Sequence, residues 1–380
     1  MRRPTLLVSI LLSALAGGSA LTAAAAVPGV AEGATLYTIR GAGFGHGVGM
    51  SQYGAHGMAK RGARHERILG HYYPGTTLGR AGADRTRVLL AEGVPAAVFS
   101  GAARVPGARA LDPDRSYRAT PSPKGGVELR TSSGKLVGRS SGPLVVDAKG
   151  DPVRLAGPAI NGVSDGTYRG TLFMHPVPGG LTVVNVVSLD DYLRGVVPAE
   201  MPASWPREAL RAQAVAARSY ALATPRPGSL FDQYPDMRSQ VYKGASGEER
   251  ETDAAIKTTA GRVLAHDGQV AKAFFHSTSG GQTESNAKGF GGPPLAYLRG
   301  VKDPADAISP HHRWTLSLTG PEIEARLGSL VNGRYRGVRV LERGRSPRIV
   351  RGEVVGTRGR TPTTGATLRA RLGLKDSWAS

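Results

Sequence analysis

The sequence predicts an α+β fold in which a β-rich segment precedes a helix-containing core. Three observations carry that expectation. Between 85 and 187, short runs of β-type residues recur about every dozen residues, separated by Gly, Pro, Ser and Asp clusters. Beyond 188 the texture turns helical, with Leu210, Ala214, Ala217 and Ala221 spaced along one small apolar face that must pack closely against something. Glycine and proline number 53 and 26 among 380 residues. That share exceeds average usage but stays below the roughly 25–30% of low-complexity chains, so the chain is folded and turn-rich. No internal repeat of fixed period is present.

Taken in order, the chain opens with Arg2 and Arg3 ahead of an uncharged stretch at 4–31. Leu6, Leu7, Val8, Ile10, Leu11 and Leu12 lead there into Ala24, Ala25 and Ala26. This reads as a secretory signal peptide over 1–26, cut near Ala26, and the expected location is secreted, at the cell wall. Gly17, Gly18 and the alanine run make a poor bilayer core, which argues against a retained anchor. The segment 35–80 reads as a strand at 36–39, a glycine-dense loop at 41–49, a helix at 51–60 with Gly62 past its end, and a helix at 66–72 stopped by Pro74 and Gly75. Within 85–187 the strands fall at 87–90, 127–129, 144–146, 167–174 and 181–187. The core, 188–305, holds a rigid turn at 198–202, then a helix capped by Ser204 with Pro206 in its first turn. A helix at 249–259 follows, then a hairpin of 262–265 with 270–275 around Asp267 and Gly268. The last segment, 306–380, carries a helix at 321–327 and then strands that complete the core.

Formal charge is +20. Residues 331–380 hold eleven Arg and one Lys against Glu342, Glu353 and Asp376, a net +9. Such a surface attracts polyanions, and an exported chain meets acidic wall polymers first; no nucleic-acid motif accompanies it. Arginines merely solvated along exposed strands are the plainer alternative. The absence of cysteine excludes disulfides, thiolate nucleophiles, iron–sulfur clusters and Cys-based zinc sites. His46, His56, His65, His71, His276, His311 and His312 offer nitrogen ligands, but H-E-x-x-H is missing, so neither a metal nor a cofactor is expected.

Two motifs carry chemistry. In Gly41-Ala42-Gly43-Phe44-Gly45-His46-Gly47-Val48-Gly49, no frame gives G-x-G-x-x-G and no phosphate-binding Lys follows. Alternating glycines let backbone N–H groups approach a ligand closely, and Ser51, Gln52 and Tyr53 cluster hydrogen-bonding groups beside them. In Pro198-Ala199-Glu200-Met201-Pro202 one carboxyl sits among apolar residues, and poor solvation raises its pKa toward that of a general acid near neutrality. A solvated loop glutamate is the alternative reading, and Asp190 and Asp191 are the next candidate acids. The run Ser277-Thr278-Ser279-Gly280-Gly281-Gln282-Thr283 lacks a G-x-S-x-G elbow, and S-x-x-K at Ser285 lacks its partner motifs. It reads as a polar loop that hydrogen-bonds sugar hydroxyls.

These segments together resemble the stage II sporulation protein D (SpoIID/LytB) family of bacterial cell-wall proteins. The resemblance rests on Asp191-Tyr192-Leu193-Arg194-Gly195-Val196-Val197-Pro198-Ala199-Glu200-Met201-Pro202 and on Trp205 through Ala221. It extends to Ser239-Gln240-Val241-Tyr242, the 277–283 run and Tyr297-Leu298-Arg299-Gly300-Val301-Lys302-Asp303-Pro304. In the usual layout the segment like Gly45-His46-Gly47-Val48-Gly49-Met50-Ser51-Gln52-Tyr53-Gly54 lies at the C-terminal end, after a strand region ending like 368–374. Here it comes first, which reads as a circular permutation and places 35–78 back against the domain of Glu200. The resemblance implies that Glu200 is the catalytic residue of a peptidoglycan lytic transglycosylase cleaving between N-acetylmuramic acid and N-acetylglucosamine in peptide-stripped strands. It implies substrate contacts from His46, Ser51, Gln52, Tyr53, Arg218, Tyr220, Gln240, Tyr242, Ser277, Ser279 and Thr283. Expected partners are glycan strands and a wall amidase, since some relatives act as amidase enhancers. A non-catalytic glycan-binding enhancer and a purely structural wall module remain the alternatives.

Overall fold

A computed structural model describes residues 35–82, 85–102, 104–105 and 110–380. The signal peptide read at 1–26 lies outside the described residues.

Alternation of buried and open positions builds the β region. In Tyr117–Pro121 and Val127–Thr131, Tyr117, Ala119, Val127 and Leu129 turn inward while their neighbours face out. Six strands form one antiparallel sheet in the order Thr167–Tyr168, Val153–Ala156, Ala97–Ser100, Tyr117–Pro121, Val127–Thr131, Leu136–Ser140. Four form a second, in the order Arg85–Val94, Gly180–Ser188, Thr171–Val177, Leu144–Asp147. Leu90, Phe99, Leu129, Val146 and Leu172 fill a core that runs on without a break to Tyr192, Leu193, Val196 and Val197 of the helix Leu189–Glu200. The β-rich segment and the helical core therefore share one interior. The run expected as one strand at 167–174 divides between the two sheets. Gly170 takes a φ of 76°, and a Cβ there would lie 2.4 Å from the Val186 carbonyl oxygen.

The helix Arg207–Ala223 is the axis of the second layer. It is buried on nearly every side, not on one face, and its small residues let four other helices come close: Gln52–Lys60, His65–Tyr72, Leu189–Glu200 and Arg250–Thr258. It starts at Arg207 with Pro206 at the cap position, so Ser204 is not its cap. The N-terminal segment is part of this layer. Ser51 caps the Gln52–Lys60 helix by accepting from the Gly54 N–H at 3.1 Å, and Ile68, Leu69, Tyr72 and Tyr73 pack against Ala212, Val215 and Ala216. Thr77–Arg80 extends the hairpin strand Arg262–His266, whose turn has Asp267 and Gly268 at positive φ, as a tight two-residue hairpin requires. The hairpin closes at Gln269–Val270; Phe275–His276 turns away and pairs in parallel with Met50–Ser51.

At the C-terminal end, Tyr335–Arg343, Ile349–Gly356 and Gly359–Thr364 form an antiparallel sheet. The stretch expected to continue as strand is instead a helix, Gly365–Leu372. Thr364 caps it, Gly373 ends it in the left-handed region, and Leu368 and Leu372 bury one turn apart. Leu36–Gly41 pairs with Trp314–Thr319, and Arg40 and Ser380 exchange backbone hydrogen bonds of 2.9 Å, so the two ends of the described chain lie side by side. Among the described residues no helix is long and apolar enough to cross a membrane.

Candidate active site

Glu200 is the last residue of the helix Leu189–Glu200, where a turn was expected. Pro198 fits inside the final turn, and the Met201 N–H still closes on the Val197 carbonyl at 2.9 Å. The helix buries Leu189, Tyr192, Leu193, Val196 and Val197. Eleven residues after Leu189 make about three turns, so Glu200 continues that buried stripe. This is why an acid is carried into the interior. Burial pushes its carboxyl up from 4.5 to about 7, against the pull of two hydrogen bonds, from the Val241 N–H and from Gln52. The Val241 bond is 3.1 Å long, and no ion pair reaches the carboxyl among the described residues. The residue as a whole is only partly covered from solvent.

The loop bearing Val241 is fixed from both sides. Gln240 accepts from the Tyr192 hydroxyl at 3.1 Å and donates to the Ala217 carbonyl, and Tyr242 donates to Asn185 at 2.7 Å. Gly195 lets the loop approach the helix: a Cβ there would lie 2.7 Å from the Tyr242 ring, and its carbonyl accepts from the Lys243 N–H. Gln52 arrives from the N-terminal segment, with its amide also 3.5 Å from Gln213 on the axial helix. Beside it the Tyr53 ring meets the edge of Trp205 at 4.8 Å, and His56 stacks on Trp205 at 4.2 Å. The glycine-loop segment thus meets the Glu200 region through Gln52 and Tyr53.

A shallow cavity of about 180 Å³ is lined by Tyr220, Ser239, Phe274, Phe275, Met237, Phe290 and His46, with Glu200 outside its lining but near enough to Tyr220 to act on it. The Glu200 charge, after burial, helps raise the Tyr220 hydroxyl, which puts Tyr220 at the acid's side of this cavity. Met237 and Phe290 are 84% and 48% exposed, an apolar lip against which a sugar ring can stack. His46 is neutral: burial first, then Arg369 and Arg348, pull its pKa to about 3, and its Nδ1 lies 3.1 Å from the Val48 N–H.

Several expected contacts are spent on the scaffold instead. Arg218 is 1% exposed and gives its donors to Asp190 and to the Thr259 and Arg262 carbonyls. Gln240 and Tyr242 are likewise buried and hold the Val241 loop rather than face the cavity. Ser51 is a helix cap, Ser279 donates to Asp303 at 2.8 Å, and Thr283 accepts from the Val301 N–H at 2.8 Å. Ser277 pairs with Thr278 by its hydroxyl and receives the Tyr53 N–H on its carbonyl. The glycine-loop amides do not face a ligand either: those of Gly43, Phe44 and Gly45 donate to His311, Thr278 and Lys375. Sequence proximity could not reveal the destinations of Arg218, Gln240, Tyr242, Ser279 and Thr283, whose partners lie 18 to 57 residues away. The alternative acids are also committed, Asp190 to Arg218 and Asp191 to the Ser188 hydroxyl at 2.7 Å. Trp205, Met237, Phe274 and Phe290 were not among the expected site residues; for Trp205 and Phe290 the one signal was a large apolar residue set beside proline or glycine.

Among the described residues one group has the spacing to hold a metal, His65, Glu66 and Glu208. There the His65 ring is 2.7 Å from Glu208 and Arg211 binds the other oxygen, so the cluster is satisfied as a hydrogen-bonded set.

The fold and the buried acid belong to a mixed α+β class in which a helical layer carries the site. Residues 178–266 match the family described as Stage II sporulation protein, SpoIID. It is 30% identical over 213 residues to stage II sporulation protein D of Bacillus amyloliquefaciens, covering 51% of this chain and 60% of the relative. Against the Bacillus subtilis protein of that name the identity is 36% over 170 residues, 40% of this chain and 48% of the relative. A Bacillus subtilis protein named amidase enhancer is 38% identical over 135 residues, 35% of this chain and 18% of the relative. The chain thus spans 60% or less of these relatives' lengths.

Proposed function

We propose that the protein is exported and remodels the bacterial cell wall by cleaving the bond between N-acetylmuramic acid and N-acetylglucosamine in peptidoglycan strands. The observation that carries this reading is Glu200: a carboxyl buried beside a groove, with no cation against it and a pKa of about 7. Such a group holds a proton at neutral pH and can give it to the leaving glycosidic oxygen. Ordinary glycosidases need a second carboxylate within about 5–10 Å. Asp190 and Asp191 sit nine or ten residues back along the same helix, about 14–15 Å away at 1.5 Å per residue. A single acid suffices when the muramic C6 hydroxyl is the nucleophile: it attacks C1 as the leaving oxygen takes the Glu200 proton, and its own proton returns to the carboxylate. No water is consumed, and the product ends in a 1,6-anhydro ring.

The family domain and the relative named amidase enhancer support the coarser part of this reading, cell-wall work in sporulation. That relative also favours a second reading, a glycan-binding enhancer of a wall amidase. Mass spectrometry of purified strands after incubation tests the proposal. Anhydro ends are expected, with a loss of at least about a hundredfold for Glu200→Gln. Reducing ends would make the protein a hydrolase, and uncut strands with a faster amidase would make it an enhancer.

A further inference from the structure

A larger cavity, of about 530 Å³, adjoins the first and shares His46 and Phe290 with it. Four cations line it: Lys288, Arg348, Arg351 and Arg369. Three of them are answered within the protein. Arg348 is paired with Asp376, while Lys288 and Arg351 both reach Glu342. Glu284, an acid on the same wall, has its oxygens taken by the N–H groups of Ser285, Arg345 and Ser346 and by the Ser346 hydroxyl. Arg369 is the exception. The Gly365–Leu372 helix holds it half-buried, and among the described residues its guanidinium makes neither a hydrogen bond nor an ion pair. Asp376 is near enough to attract it but is already bound by two Arg348 nitrogens. A planar fork of N–H donors partly withdrawn from water without protein acceptors favours a ligand that supplies them.

We infer that this cavity is an anion subsite of the groove, in which Arg369 takes a carboxylate of the bound strand in a forked hydrogen bond. The inference rests on the glycan reading above and adds to it what the strand must carry. A neutral sugar offers Arg369 hydroxyl or amide oxygens but no counter-charge, whereas a carboxylate matches the guanidinium geometry with two parallel charge-assisted bonds. Arg369 also helps keep His46 neutral, so the ring between the two cavities offers an added anion no competing charge. Two sources on a peptidoglycan strand have this chemistry: the lactyl carboxylate freed when a stem peptide is removed, and the carboxylates of the stem peptides themselves.

The test is binding of purified strands to the full chain carrying Glu200→Gln, which leaves the strands whole. Strands with free carboxylates are compared with strands whose carboxylates are converted to amides. Amidation is expected to weaken binding about ten- to a hundredfold, the scale of one charge-assisted contact. With Arg369→Gln added, amidation is expected to change nothing, and Arg369→Lys, which keeps the charge without the fork, should fall between. The amide comparison on unaltered Arg369 does not depend on any Arg369 variant folding. Preference for stripped over stem-bearing strands identifies the lactyl group as the source, and the reverse preference identifies the stem. Equal affinity for free and amidated strands overturns the subsite. If wild-type chain still yields anhydro ends from both, only the subsite fails; if no strand binds or is cut, the glycan reading fails with it.

Discussion

Glu200 and Asp376 are both carboxyl groups drawn out of water, and the protein treats their charge in opposite ways. Asp376 is fully buried and receives two bonds from Arg348, at 2.9 and 2.7 Å, and a third from the Trp378 N–H at 3.0 Å. Burial pushes its carboxyl up, and Arg348 draws it back toward ionisation. Arg348 in turn donates to the Ser279 and Gln282 carbonyls and packs over Gly47, where a Cβ would lie 2.3 Å from its Nε. One ion pair therefore ties the glycine loop, the 277–283 run and the C-terminal tail together. Glu200 has one backbone N–H, the Gln52 amide and no cation. A paired buried charge fixes structure; an unpaired one keeps a movable proton at the cost of stability.

The largest expected difference between the two regions appears on removing one partner of the pair. Arg348→Met strands Asp376 without its counter-charge and should lower unfolding stability by about 3–5 kcal/mol in denaturant melts. Arg348→Met with Asp376→Leu should recover part of that loss. Glu200→Gln is expected to do the reverse. The folded-state pKa of about 7 lies above the ordinary 4.5, so the native state holds the proton longer than the unfolded chain does. Glu200 therefore weakens the fold increasingly as pH rises from about 4.5 through 7. The Gln variant should be more stable than wild type by on the order of 1–3 kcal/mol at pH 8, the gain vanishing below pH 4.5. A Gln variant less stable at pH 8 would mean that Glu200 is a structural group like Asp376.

Smaller effects sharpen the contrast. Cleavage should fall about tenfold per pH unit above neutrality, because the acid form of Glu200 is consumed there. Gln52 favours the ionised carboxyl, so Gln52→Ala should move that descending limb to higher pH, by less than about one unit. A limb that stays in place would remove Gln52 from the site.

Much of this was legible in the sequence because the signals were local. Gly62 after the helix, Asp267-Gly268 as a turn and the isolated acid at Glu200 each rest on a few adjacent residues. The helix Gly365–Leu372 had such signals too, in Thr364 and Gly373, but threonines and arginines around it read as strand. What escaped was the far end of each side chain. Arg218 stands on an exposed-looking polar position, yet its guanidinium reaches Thr259 and Arg262. Arg369 looked like one more arginine of a basic tail. Only the three-dimensional count of acceptors separates it from Arg348 and Arg351, whose acids lie 28 and 9 residues away. The N-terminal segment was expected to bring His46, Ser51, Gln52 and Tyr53 to the cleft of Glu200; Gln52 hydrogen-bonds the carboxyl, while Ser51 is spent as a helix cap.

Cleavage depends on the proton held by Glu200, and a direct titration measures it without any substrate. With glutamate labelled at the carboxyl carbon and Glu200→Gln used to assign its signal, the expected NMR midpoint of Glu200 is about 7. A midpoint near the ordinary 4.5 would contradict the account, since a carboxylate already ionised at neutral pH has no proton to give the leaving oxygen.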